Sequence, residues 1–109
     1  LGPDNKDPKV VAFRKSFDQL YPGVEPDAFV ALGYDSAQLL MTAIDKAGTT
    51  EPVHVRNSLA GIRNFEGVTG KMKYPPGSRI PVKTVTILEI DQGRRRLVRQ
   101  LQPLQVPAP

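Results

Sequence analysis

The stretch FVALGYDSAQLLMTAIDKAG (Phe29–Gly48) is apolar around most of its helical wheel. A helix on the surface of a self-contained domain keeps polar residues on about half of its circumference. Here Asp35, Ser36, Gln38 and Thr42 are nearly all the polarity offered before Asp45 and Lys46. Such a helix must be covered on several sides, and a chain of 109 residues has little else to cover it with. It is therefore expected to be a helix of a larger body.

The flanking segments carry ordinary local signals. Asp7 followed by Pro8 reads as an N-cap with proline in the first turn. Val10, Phe13, Phe17 and Leu20 then form one apolar stripe on a helix that stops at Tyr21-Pro22-Gly23. Asp27 is expected to cap the long helix and Gly48 to close it in the left-handed conformation. Thr50 is expected to cap a third helix running to about Ile62, with Val55, Leu59 and Ile62 inward and His54, Arg56, Asn57 and Arg63 outward. The remainder reads as β: an alternating strand from Val68 to Tyr74, a β-branched run from Val82 to Ile90, and a hairpin turn at Asp91-Gln92-Gly93 leading into Arg94–Leu101. The tail QPLQVPAP, with Pro103, Pro107 and Pro109, is not expected to continue a ladder.

Chemistry is sparse. There is no cysteine, hence no disulfide, thiolate or cysteine metal site, and the single histidine, His54, is expected to be an exposed helix residue with no nucleophile or second metal ligand beside it. Gly67, Gly70 and Lys71 fall in a suggestive order, but Met72 follows the lysine and the segment enters a strand, so a phosphate loop is excluded. Turn glycines explain the spacing better. The net charge of +4 is local, since without Arg94, Arg95, Arg96 and Arg99 the basic residues balance the acidic ones. Strand alternation in RRRLVRQL favours a solvated strand whose arginine stems cover a surface over a phosphate-binding patch. The chain opens Leu1-Gly2-Pro3, and we expect a processed chain or a fragment of a longer one.

Taken in order, DAFVALGYDSAQLLMTAIDKAG, EPVHVRNSLAGIRNFEGVTGKMKY and PVKTVTILEID resemble the C-terminal part of the type I periplasmic solute-binding proteins of ABC importers, the leucine/isoleucine/valine-binding branch. The features in register are the aromatic Phe29 at the start of the long helix, Tyr34-Asp35 one turn later, the Ala43…Ala47-Gly48 close, the Phe65-x-Gly67-x-Thr69-Gly70 turn and the final β run. The stretch YPPGSRIP (Tyr74–Pro81) departs from the Asp/Asn/Gly turn common in that family and is stiffer.

The resemblance implies an α/β fragment of that fold, three helices followed by short strands and a hairpin. Residues 1–81 would belong to the first ligand-binding lobe, and residues 82–109 would supply a hinge-crossing strand, hairpin and tail to the second. It implies a non-catalytic receptor without cofactor or metal, exported by a signal peptide to a periplasmic or extracytoplasmic location. There it would hold an amino acid or other small carboxylate between its lobes and deliver it to an ABC permease in the membrane. The partners implied for the long helix are the remaining segments of the receptor or a second copy of the chain, with no role for nucleic acid. Phe29 takes the position of the family's cleft-facing aromatic, where it would give apolar contact to a ligand beside a helix N-terminus that favours negative charge. The alternative is that Phe29 is ordinary core. Tyr34 and Asp35 are expected to pack and hydrogen-bond within the lobe. Two other uses stay open: a ligand-sensing regulator of the same fold, and a small nucleic-acid-binding protein using Arg94–Arg99.

Overall fold

The long helix forms as its caps dictate. In a computed structural model of the chain, which describes residues 1–105, it runs from Ala28 to Ala47 (α2). Asp27 accepts the Val30 N–H at 2.9 Å, and Gly48 adopts φ 67° while its N–H bonds to Ile44 O at 3.0 Å. The helix before it, α1 (Pro8–Leu20), is capped by Asp7, which accepts the Lys9 N–H at 2.9 Å. Leu20 departs from the expected stripe: it is 73% exposed at the last turn, where the chain leaves the body before anything can cover it.

Helix α3 (Pro52–Ala60) is shorter than expected. Thr50 is not its cap. Proline lacks an N–H and fixes φ at the first helical position, so Glu51 becomes the boundary residue, and it makes no side-chain cap. At the other end Gly61 and a tightened turn, with Ile62 N–H bonded to Leu59 O at 3.1 Å, place Ile62 just past the helix as a fully buried residue.

The strand expected from Val68 to Tyr74 is instead one arm of a hairpin and its turn. Strands β1 (Phe65–Gly67) and β2 (Gly70–Lys73) pair antiparallel with Phe65 opposite Met72 and Gly67 opposite Gly70, so Val68-Thr69 is a two-residue connection. The run Val82–Ile90 is likewise divided. Strand β3 (Val82–Lys83) joins β2 in a three-stranded sheet, and β4 (Val85–Asp91) pairs with β5 (Arg94–Leu101) in a separate two-stranded one. The turn between β4 and β5 falls where expected, with Gln92 at φ 49° and Gly93 at φ 74°, the positive pair that suits a tight hairpin. Of the tail, 102–105 form no helix or strand, and 106–109 lie outside the described residues.

Two apolar clusters hold the body together. Val10 and Phe13 of α1 meet Ala31 of α2 and Val68 of the turn, while Leu39 and Ala43 of α2 meet Ile62 and Phe65. Both use one stripe of α2, in which Ala31, Asp35, Leu39 and Ala43 recur every four residues. Most of the other apolar residues of the helix, including Phe29, Leu32, Leu40 and Met41, are exposed, while Ile44 is half-buried.

Candidate functional site

Phe29 lies in the first turn of α2 and is 82% exposed. Its ring is therefore not part of either core cluster. A cavity of about 200 Å³ lies beside the same helix end, between Pro26–Ala28, the N-terminal loop and the hairpin residues Leu88 and Leu97. Another, of about 370 Å³, lies between α1, α2 and β1 against Phe13, Tyr34, Asp35 and Phe65. The helix end beside Phe29 is already served by the Asp27 side chain, which takes one N–H and places a carboxylate at the positive end of the helix dipole. What this helix end exposes is thus apolar ring surface beside a capped N-terminus.

One turn and a half further along the helix, Asp35 is 3% exposed and grips the β1–β2 turn. Its Oδ1 accepts the Val68 N–H at 2.8 Å, and its Oδ2 accepts the Thr69 N–H at 2.9 Å and the Thr69 hydroxyl at 2.5 Å. Three donors compensate a buried carboxylate that has no cation against it. The fit requires Gly67, because a Cβ there would stand 2.6 Å from the Asp35 Cγ. Tyr34 packs its ring on Phe13 with centroids 4.9 Å apart. Tyr34 thus packs and Asp35 hydrogen-bonds within this body, and the clamp fixes the rotation of α2 and with it the direction in which Phe29 points. A sequence signal for the clamp exists in the F-x-G-x-T-G spacing, but not for its partner 33 or 34 residues away.

The arginine strand is exposed along most of its length, and Arg96 is paired with Glu89 on the neighbouring strand. Arg94 stands opposite Asp91 in the ladder, so acidic groups interleave with the basic ones. His54 is an exposed residue of α3. Among the described residues no group of three or more His, Cys, Asp or Glu side chains is placed to hold a metal, and no helix is long and apolar enough to cross a membrane.

The sequence matches the periplasmic binding protein family over residues 2–95. The chain belongs to that family. The same arrangement of elements occurs in solved structures. Over 89% of this chain it superposes on the leucine binding protein LivK of Thermotoga maritima MSB8 with a TM-score of 0.72 and 27% identity. Over 87% it superposes on a protein from Rhodospirillum rubrum described as a branched-chain amino acid ABC transporter, with a TM-score of 0.75 and 32% identity. The chain spans 27% and 28% of the lengths of those two structures. The three helices with short antiparallel strands are one portion of the periplasmic binding protein α/β fold.

Proposed function

We propose that this chain is the late portion of a solute-binding receptor of an ABC importer, and that Phe29 faces the ligand cleft. The observation that carries the reading is the 82% exposure of an aromatic ring in the first turn of an otherwise well-anchored helix, in a chain of this family. Phe29 is one of several large apolar residues left exposed on α2, with Leu32, Leu40 and Met41, and apolar surface of that extent calls for a cover. Here the cover would be the ligand together with the lobes that close over it. The ligand is a small amino acid with an apolar side chain, a class supported by the leucine and branched-chain descriptions of the two related structures. Its ammonium and carboxylate would be held by residues outside this segment. The receptor acts without catalysis, by closing two lobes on the ligand and presenting it to a membrane permease outside the cytoplasm. Residues 1–81 belong to the first lobe, and residues from 82 onward carry the chain toward the second.

The test is Phe29→Ala in the full-length receptor carrying this segment, titrated with L-leucine by calorimetry and melted in parallel. Loss of a desolvated aromatic contact is expected to weaken binding by about 2–4 kcal/mol. The melting temperature of the unliganded protein should change little, since the ring is exposed. Unchanged affinity with a large fall in melting temperature would put Phe29 in the core of the assembled protein and remove it from the site.

A further inference from the structure

The β1–β2 turn holds α2 at two points. Val68 enters the buried cluster that contains Ala31, which follows Phe29 closely along the helix. One turn further on, Asp35 takes the Val68 and Thr69 N–H groups and the Thr69 hydroxyl. The two contacts differ in kind. Ala31 is fully buried but brings only a methyl group, which makes few contacts and resists rotation of the helix about its axis weakly. Hydrogen bonds are directional, so a carboxylate held by several donors fixes that rotation. The Thr69 hydroxyl, at 2.5 Å, is the shortest of these bonds and the one made by a side chain.

Between Phe29 and Asp35 the helix is weak on its own account. Gly33 lies there without a positive φ, and nothing stands within 4 Å of where its Cβ would be. No contact in this chain requires glycine at that position, and an interior glycine costs a helix about 1 kcal/mol relative to alanine. The angle at which the ring is presented therefore depends on what grips the helix beyond Gly33, which is the Asp35 clamp. A rotation of about 10° carries a side chain ~6 Å from the helix axis through about 1 Å. A gap of that size forfeits up to about half of the attraction between atoms in contact.

We propose that Thr69 is a positioning residue for ligand selectivity: its hydroxyl, acting through Asp35, sets the angle at which the Phe29 ring meets the apolar side chain of the ligand. Thr69 touches no ligand itself. The effect on selectivity rests on the receptor reading above, whereas the placement of the ring rests on this geometry alone.

In the full-length receptor, a fluorine-labelled phenylalanine at position 29 reports the surroundings of the ring with or without ligand. Thr69→Val keeps the shape of the side chain and both N–H bonds and removes the hydroxyl. It is expected to shift or split the fluorine resonance, and Thr69→Ser to leave it in place. L-leucine affinity is expected to fall about three- to tenfold in Thr69→Val, within the range for residues that act without touching a ligand. L-alanine, with almost no side chain to meet the ring, should lose less than about twofold on the same grounds. Thr69→Ser should recover the ratio of the two affinities, and in a Phe29→Ala background Thr69→Val should weaken L-leucine no further, as for coupled positions. A purely structural role would lower both affinities alike, and that result would overturn the proposal. So would an unchanged fluorine resonance in a Thr69→Val protein that melts cooperatively. Should Thr69→Val not fold, Thr69→Ala also removes the hydroxyl and is read in the same way. If Phe29→Ala leaves L-leucine affinity unchanged, the receptor reading of Phe29 fails and the selectivity effect with it, while the fluorine resonance still decides whether Thr69 places the ring.

Discussion

At Gly67 a Cβ atom would stand 2.6 Å from the Asp35 Cγ and 2.7 Å from its Oδ1, although the backbone there needs no positive φ. The glycine is required for space, whereas Gly70, at φ 129°, is required for both space and conformation. Gly67→Ala is expected to push the carboxylate off its three donors and to lower stability by about 1–3 kcal/mol, the range for overpacking a fitted site. Asp35→Ala should cost at least as much. It leaves the Val68 and Thr69 N–H groups without their acceptor, at about 1–3 kcal/mol for each buried donor left unpaired. Denaturant melts of both variants check this, and a change within about 0.5 kcal/mol, ordinary for a surface site, would mean that the turn is held by something else. Asp35 was legible in sequence as a residue that hydrogen-bonds inward. Which backbone groups it takes was not, because those partners lie 33 and 34 residues away.

Between elements, the side chains that join α1 to β1 are charged. Lys9 Nζ lies 2.6 Å from Glu66 Oε2, and Lys71 Nζ lies 3.7 Å from its Oε1. The hydrogen bond from Lys9, then the charges of Lys9 and Lys71, hold the Glu66 carboxyl below its ordinary value. Because the folded value is the lower one, the stabilising contribution is present above the ordinary carboxylate range and is lost as pH falls through the lowered value. The pair is exposed, so the gain in stability is small. Lys9→Gln is expected to move the Glu66 titration up toward that of a free glutamate, and Lys71→Gln to move it less. Side-chain carbon shifts followed through acid pH read both, and equal shifts would contradict the ranking. The long helix α2 presents the opposite chemistry. Its hydroxyls bond back along the helix, Ser36 to Leu32 O and Thr42 to Gln38 O, each at 2.8 Å. These two polar positions therefore need no solvent, which suits a helix covered on more sides than this chain covers.

For the molecule as a whole, size gives the same answer. The Cα radius of gyration is 15.7 Å, against about 13 Å for a compact domain of this length. The accessible surface is 8237 Å², where a folded monomer of 12.0 kDa exposes about 6,000 Å². The excess, roughly 2,200 Å², is comparable to what one partner contributes to a large obligate interface. It includes Phe29, Leu40 and Met41 on α2 and Ile87, Leu88 and Ile90 on the hairpin, which also offers open strand edges. We infer that the remaining receptor segments, or failing those a second copy of the chain, cover these faces. At low micromolar concentration the 109-residue chain is expected to sediment as more than a monomer, and Leu40→Gln on the uncovered face of α2 to shift it toward monomer. A compact monomer that melts cooperatively, unaffected by Leu40→Gln, would show that these residues need no cover.

What the sequence by itself determined is the set of features decided within a few residues. These include the Asp7 and Asp27 caps, the Gly48 stop, the Gln92-Gly93 hairpin and an α2 too apolar for this chain to bury. Each rests on local φ and ψ preferences or on a cap two or three positions away, and the family resemblance rested on the order of such features. Where local signals were read too loosely, the boundaries moved: Pro52 makes Glu51, not Thr50, the start of α3. Only the tertiary structure decided that Val68-Thr69 is a turn, that Thr84 separates two sheets, and that Asp35 shares the buried stripe with Ala31, Leu39 and Ala43. Alternation and β-branching read the same through a turn or a joint as through a strand. The difference is made by hydrogen bonds and by close backbone approach between segments tens of residues apart, which periodicity along one chain does not encode.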